Sequence, residues 1–214
     1  MRKMSRVLVL GTRNRKKLGE LVELLDPHGF VLKTLADFPA AVEVAEAGDS
    51  FAANAALKAT AQAKALGQWV LGEDSGLAVD ALGGAPGIYS ARFSGDGATD
   101  ETNNRLLLER LRDVPLDKRT AYYVCSAALS DPSGQVRATS EGTCRGRILL
   151  EPAGSGGFGY DPLFEVIECH RTFGELAPAV KAVLSHRSRA MRLLVPELIK
   201  LAVRGEWWVV VPRR

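Results

Sequence analysis

Cysteine is scarce in this 214-residue chain: Cys125, Cys144 and Cys169 stand far apart, with no Cys-x-x-Cys pair. An odd, sparse set builds no disulfide framework and fits small buried apolar residues in a reducing cytosol. Long apolar runs are missing as well. Arg2, Lys3 and Arg6 precede an apolar run of only Val7 to Leu10, whereas a secretory core needs about 7–15 such residues. The longest uncharged stretches, Ala81 to Ala91 and Thr120 to Ser130, are too short to span a bilayer. A cytoplasmic protein with no membrane partner is the expectation. Charge of one sign is also lacking, since 28 Lys and Arg face 25 Asp and Glu for a net +3. That leaves no broad basic field for duplex nucleic acid, and no stable nucleic-acid partner is expected. Glycine and proline, 21 and 10 residues, are too few for a low-complexity chain.

What is present is an ordinary globular composition, 46% hydrophobic and 25% charged. The length allows one domain or two intimate lobes, and no repeat or linker marks a boundary. Val7 to Leu10, ending at Gly11, reads as a buried strand. Leu18, Leu21, Val22 and Leu25 recur at helical spacing up to Asp26-Pro27. An alanine-rich helix starts near Asp49 or Ser50 and ends at Gly67, its small face suited to lying close on a sheet. Val70-Leu71 and Leu77 to Leu82 read as two further short strands, and Glu101 to Leu111 as a helix. Thr120 to Ser130 and Gln135 to Cys144 flank the turn sequence Asp131-Pro132-Ser133-Gly134 and form a hairpin. Pro178 opens a long helix that Pro196 should kink or divide before Arg204. Alternating helices and strands with one hairpin predict an α/β fold with a mixed sheet.

Five segments carry chemistry. Gly11-Thr12-Arg13-Asn14-Arg15-Lys16-Lys17 joins a strand to a helix, and four of its last five residues are basic. Cations are unfavourable at a helix N-terminus, and a phosphate there would relieve the repulsion. No second glycine and no Ser or Thr after the lysine make it a Walker loop. Alone, the segment admits an anion site or a solvated basic edge. Asn54 and Lys58 are one turn apart and share a helix face. Glu46 sits just before that helix in a polar loop and has no role of its own to suggest.

Glu73-Asp74-Ser75-Gly76 follows a strand. Adjacent carboxylates repel, and strand alternation sends them to opposite sides. With no His or Cys cluster nearby, such acids suit a hard ion such as Mg2+, or else form an acidic turn in water. Gly154-Ser155-Gly156-Gly157-Phe158-Gly159-Tyr160-Asp161-Pro162 lets a flat ring approach the backbone and stack, or else is a plain turn. Lys181 with Ser185-His186-Arg187 forms a donor-rich patch. His28 and His170 suggest nothing.

In this order the segments resemble the inosine triphosphate pyrophosphatase-like family. The likeness is carried by Thr12-x-Asn14-x-x-Lys17, Phe51-x-x-Asn54, Lys58, Asp74-Ser75-Gly76-Leu77 and Gly83 to Arg92. Gly156 to Pro162 and Ser185-His186-Arg187 complete it. It covers roughly residues 6 to 200, so a single domain of 1–204 is expected. The apolar tail 205–214, with Trp207, Trp208 and Val209 to Val211, falls outside the pattern, to be packed as a strand or against a subunit. Arg13 stands where the family often has Gly, and Glu73-Asp74 where it has an Asp pair.

The resemblance implies a mixed, twisted central sheet flanked by helices, in two lobes with the active-site cleft between them. It implies hydrolysis of non-standard purine nucleoside triphosphates (XTP, ITP, dITP) to the monophosphate and pyrophosphate. Asp74 would be the catalytic base or water-orienting group, with Glu46 and Asp74 holding Mg2+. Thr12, Arg13, Asn14, Arg15, Lys16, Lys17 and Lys58 would cradle the triphosphate. Phe158 would stack on the purine beside Gly159 and Tyr160, while Ser75, Asp161, Lys181, His186 and Arg187 would read its edges. A homodimer is implied, with Gly83 to Arg92 shaping its interface or the cleft. The competing readings are a related pyrophosphatase on pyrimidine or other modified nucleotides, and a nucleotide-binding module without catalysis.

Overall fold

The computed structural model describes residues 6–207. Seven strands among them, β1 (Val7–Leu10), β2 (Val31–Thr34), β3 (Val70–Val79), β4 (Thr120–Ser130), β5 (Val136–Ile148), β6 (Phe164–Val166) and β7 (Arg171–Thr172), form one sheet. Their order is β2-β1-β3-β4-β5-β6-β7. β1 runs parallel to β2 and β3, whereas β6 is antiparallel to β5 and β7, so the sheet is mixed as expected. The helices are α1 (Arg15–Leu25), α2 (Phe51–Leu66), α3 (Asp100–Arg110), α4 (Pro178–Leu184) and α5 (His186–Val203). The chain divides into two compact units, one of residues 6–74, 125–142 and 190–207, the other of 75–124 and 143–189.

In the first unit the central strands β1 and β3 are buried on both faces, the usual fate of a parallel pair between helices, whereas the edge strand β2 is part-exposed. Leu8, Leu10 and Leu71 pack with Leu21 and Leu25 of α1 and Leu194 and Leu198 of α5. Val9 and Val70 pack with Ala63 of α2, and Ala55 and Ala59 of α2 pack with Ala128. Asn14 caps α1 by accepting from the amides of Lys16 and Lys17, and Ser50 caps α2. Gly67 closes α2 in the left-handed region at φ 61°, as its glycine foretold. The approach of α2 to β3 is extreme at Gly72, where a Cβ would stand 2.3 Å from the Ala55 carbonyl oxygen and 2.6 Å from the Ala59 nitrogen.

The described part of the apolar tail belongs to this core. Trp207 stacks on Trp69 at 4.6 Å and 12°, meets Phe30 at 5.2 Å, and donates its Nε1–H to the Val7 carbonyl at 3.2 Å. Arg137, over the Trp69 ring, pairs with Asp131 and with Glu206. Trp208 and Val209 to Val211 lie outside the described residues.

The second unit is built on Leu77, Val79, Leu107, Leu111, Tyr123, Phe164 and Phe173. Arg119, 3% exposed, donates to the Leu111, Val114 and Leu149 carbonyls and ties the end of α3 to β4.

Two expectations need correction. Val70-Leu71 and Leu77 to Leu82 are not two strands: β3 runs unbroken through Glu73-Asp74-Ser75-Gly76, and Asp80–Leu82 is a 3-10 turn. The polar residues stay inside the strand because each side chain finds a buried partner. Pro196 does not divide the last helix but lies within α5, on its exposed side, where water can meet the freed carbonyl. The break comes earlier, at Ser185, whose backbone is extended (φ −64°, ψ 152°) between α4 and α5. The short strands β2, β6 and β7 carried too few residues to show a period.

Candidate active site

In the first unit, strand alternation separates the two neighbouring acids of β3. Asp74, 5% exposed, turns toward α2. Its Oδ1 accepts from Lys58 Nζ at 2.9 Å and its Oδ2 from Asn54 Nδ2 at 3.2 Å. The one-turn spacing of Asn54 and Lys58 thus places a donor on each carboxylate oxygen. Lys58 Nζ also lies 2.8 Å from Glu46 Oε1 and donates to the Glu73 carbonyl at 3.3 Å. Asn54 Oδ1 accepts the Gly48 N–H at 2.9 Å, which fastens the loop that carries Glu46. Burial pulls the Lys58 pKa down, but the charges and hydrogen bonds of Asp74 and Glu46 together outweigh it, so the ammonium is held above its ordinary value.

Glu73, 1% exposed, turns to the other side. Its Oε1 lies 3.4 Å from Lys17 Nζ, and its Oε2 accepts from Cys125 Sγ at 3.5 Å. Glu46 and Asp74 are therefore the acids that converge on one cation. Two hard oxygen donors of this kind fit a small divalent ion. Among the described residues no group of three or more His, Cys, Asp or Glu could hold a metal by itself. A bound Mg2+ would draw most of its ligands from water and substrate.

Along the turn before α1, Thr12 Oγ1 accepts the Asn14 N–H at 3.2 Å, and Arg13 donates to the Val42 carbonyl at 3.2 Å. Arg13, Arg15 and Lys16 are exposed, and Lys17 is half-buried against Glu73. The amides of Lys16 and Lys17 are taken by Asn14.

In the second unit Asp161, 3% exposed, is the hub. Its Oδ2 accepts the Phe158 N–H at 2.8 Å and Lys181 Nζ at 2.6 Å, and its Oδ1 accepts the Tyr123 hydroxyl at 3.4 Å. Gly157, at φ +73°, leaves room for it, because a Cβ there would fall 2.0 Å from Asp161 Oδ2. Lys181 Nζ lies 4.6 Å from the Phe158 ring centroid and 5.6 Å from that of Phe173, a cation shared by two aromatic faces. Tyr123 stacks on His186 at 4.7 Å and 8°. Burial, then the Asp161 charge, pushes the Tyr123 pKa well above its ordinary value and keeps the phenol a donor. Arg187, 1% exposed, donates from Nη2 to Ser75 Oγ at 2.9 Å.

Residues 8–197 match the Ham1 family model. The chain belongs to the Ham1 family. A relative from Rhodopirellula baltica named dITP/XTP pyrophosphatase is 56% identical over 194 residues, 91% of this chain and 93% of that one. The solved structure of a HAM1 protein from Coxiella burnetii matches with a TM-score of 0.83 at 36% identity, covering 91% of this chain and 98% of that one. That of a nucleoside-triphosphatase / dITP/XTP pyrophosphatase from Mycobacterium abscessus gives 0.73 at 43%, covering 90% and 99%.

In this Ham1 chain some contributors escaped the sequence reading. Asn54 stood in a motif but had no role until its amide was seen on Asp74. Tyr123 lay in a plain strand. Glu101 to Leu111 reads only as a helix, and its polar start suggests no role, yet Asn103 binds the Ser90 and Ala91 carbonyls, and Asp100 and Asn104 both bind Gly159. No described helix is long and apolar enough to cross a membrane.

Proposed function

We propose that the chain hydrolyses the non-standard purine nucleotides XTP, ITP and dITP between the α and β phosphates, giving monophosphate and pyrophosphate. The observation that carries this is the cluster Glu46–Lys58–Asp74, an exposed and a buried acid gathered on one cation within 2.9 Å contacts. Asp74 is the general base or water-orienting group, its two oxygens fixed by Lys58 and Asn54 so that only one geometry is offered to the attacking water. Glu46 and Asp74 hold Mg2+, which when bound neutralises phosphate charge. Thr12, Arg13, Asn14, Arg15, Lys16 and Lys17 join Lys58 in binding the triphosphate, where positioning and charge outweigh covalent help.

Phe158 stacks on the purine. Lys181, His186 and Arg187 present donors, which suits a 6-oxo group and leaves adenine's 6-amino group facing N–H donors. Unpaired buried donors can discriminate by as much as about 10⁴–10⁵-fold. Asp161 and Ser75 act mainly by holding Lys181 and Arg187 in place. The enzyme works in the cytoplasm as a homodimer on free nucleotides. In support, Cys125, Cys144 and Cys169 form no disulfide, and the Gly83 to Arg92 segment exposes Tyr89 at 56% beneath Arg92.

The test is chromatographic product analysis with XTP, dITP, GTP and ATP offered separately, with Mg2+ or with EDTA, on the wild type and Asp74→Asn. Monophosphate plus pyrophosphate from XTP and dITP, lost with EDTA and below a tenth of wild type in the variant, is expected. Diphosphate plus phosphate would overturn the bond assignment, and normal turnover by Asp74→Asn would overturn the base.

A further inference from the structure

The loop that carries Phe158 is gripped from α3. The Gly159 N–H donates to Asp100 Oδ2 at 2.9 Å, and the Gly159 carbonyl accepts from Asn104 Nδ2 at 3.0 Å. Asp100 and Asn104 are one helical turn apart and share a face of α3. Together they take both backbone groups of a single residue. Gly159 itself stands at φ +63°, a conformation that L side chains avoid, so its own side chain cannot anchor the loop. The two bonds also have fixed polarity: a carboxylate at N1 of the helix accepts, favoured there by the helix dipole, and an amide one turn later donates.

On either side of Gly159 the loop is tied again. The Phe158 N–H goes to Asp161, and the Tyr160 hydroxyl donates to the Ser90 carbonyl at 2.8 Å. Asn103 in turn holds the Ser90 carbonyl from α3. The first turn and a half of α3 is therefore a polar frame for a glycine-rich segment that has no secondary structure of its own.

We propose that Asp100 and Asn104 are positioning residues for nucleotide recognition: they hold Gly159 so that the neighbouring Phe158 ring is set at one height and tilt for the base. This rests on the base-stacking role assigned to Phe158. A stacking ring contributes only if it is already in place when the base arrives, since ordering a glycine loop on binding subtracts from affinity. Loss of the grip therefore weakens substrate binding and leaves the chemistry at Asp74 alone.

The experiment measures kcat and KM for dITP in Asp100→Ala, Asn104→Ala, Phe158→Ala and the Asp100→Ala/Phe158→Ala double variant. Asp100→Ala should raise KM about tenfold, the equivalent of one charge-assisted hydrogen bond, and Asn104→Ala about fivefold, the equivalent of a neutral one, with kcat within about threefold of wild type in both. In the double variant Asp100→Ala should add nothing to the effect of Phe158→Ala, because it acts through that ring. Two isosteric changes separate positioning from bulk folding. Asp100→Asn keeps an acceptor for the Gly159 N–H and should hold KM within about threefold, whereas Asn104→Asp sets a carboxylate against a carbonyl and should match or exceed the alanine effect. These two remain informative even where an alanine variant fails to fold.

An unchanged KM in Phe158→Ala would refute the stacking role itself. A raised KM in Phe158→Ala, with wild-type KM in both α3 alanine variants, would refute the grip alone. Additive effects in the double variant, or equal tolerance of the two isosteric changes, would also refute it.

Discussion

Gly72→Ala tests how the Asn54–Lys58–Asp74 cluster is spaced. The added Cβ would meet the Ala55 carbonyl oxygen at 2.3 Å and the Ala59 nitrogen at 2.6 Å, whereas ordinary contact begins near 3.4 Å. The atoms struck are the backbone of α2, which cannot swing aside like the end of a side chain, so the helix must retreat from β3 by about 1 Å. Overpacking of this kind destabilises by about 3 kcal/mol, the upper part of the usual range. For a chain of this length that is a fall in melting temperature of about 6–12 °C. Asn54 and Lys58 lie on α2 and Asp74 lies two residues beyond Gly72, so the retreat also pulls the two donors off the carboxylate. A misplacement of about 1 Å in a catalytic constellation lowers turnover on the order of 100-fold. Calorimetry and steady-state assays on dITP, with Gly19→Ala as companion, provide the measurement. Gly19 lies inside α1 with nothing within 4 Å of its Cβ position, so alanine there should stabilise by about 0.5–1 kcal/mol and leave turnover alone. A Gly72→Ala protein that melts within 2 °C of wild type and keeps its kcat would refute the claim that this glycine sets the spacing.

Lys58→Met removes the cation common to Glu46 and Asp74. Turnover should fall on the order of 100-fold or more, and stability by about 2–3 kcal/mol, less than a fully buried pair because Glu46 is partly in water. The folded Lys58 pKa is raised, so its contribution is fully present below the ordinary lysine value of about 10.4 and is lost as pH rises through the folded value. The stability difference between wild type and Lys58→Met in urea should accordingly be flat from pH 7 to about 9.5 and shrink above. Trp207→Ala should lower stability by about 3–5 kcal/mol by removing the stack on Trp69 and the bond to Val7, and a melting curve unchanged within 2 °C would show that the tail is dispensable. Burial pushes the Cys144 thiol up to about 12, and Cys125 is buried too. A thiol reagent at pH 8 should therefore find one fast group, Cys169, and all three only after denaturation.

The parts of the fold that could be read in advance were those with their own periodicity or punctuation. α2 announced itself by Ser50, by its alanines and by Gly67, and the β4–β5 hairpin by its Asp-Pro-Ser-Gly turn. β3 was misread because its polar centre is stabilised by partners far off in the chain: Lys17 for Glu73, Lys58 for Asp74, Arg187 for Ser75. The same holds within the candidate site. Lys58, Asp74 and Phe158 stood in motifs, but nothing local distinguished Asp100 or Asn104 from ordinary polar residues at the start of a helix. Their meaning lies in contacts with a loop some 55 residues away.

The Trp207 anchor also has a consequence for the order in which the chain can fold as it is made. Its indole bonds a carbonyl 200 residues earlier, so the first strand of the protein is among the last to be completed. At about 5–20 residues per second of synthesis, Val7 to Leu10 wait about 10–40 s for the residue that seals their end of the core. The unit of residues 75–124 and 143–189 draws on no part of the chain beyond Arg189, so all of it has emerged while the last segment of the other unit is still to come. During that interval Leu8, Leu10, Trp69 and Leu71 have no finished core to enter. Newly made chains of this protein should therefore be most open to chaperone capture through their first seventy residues.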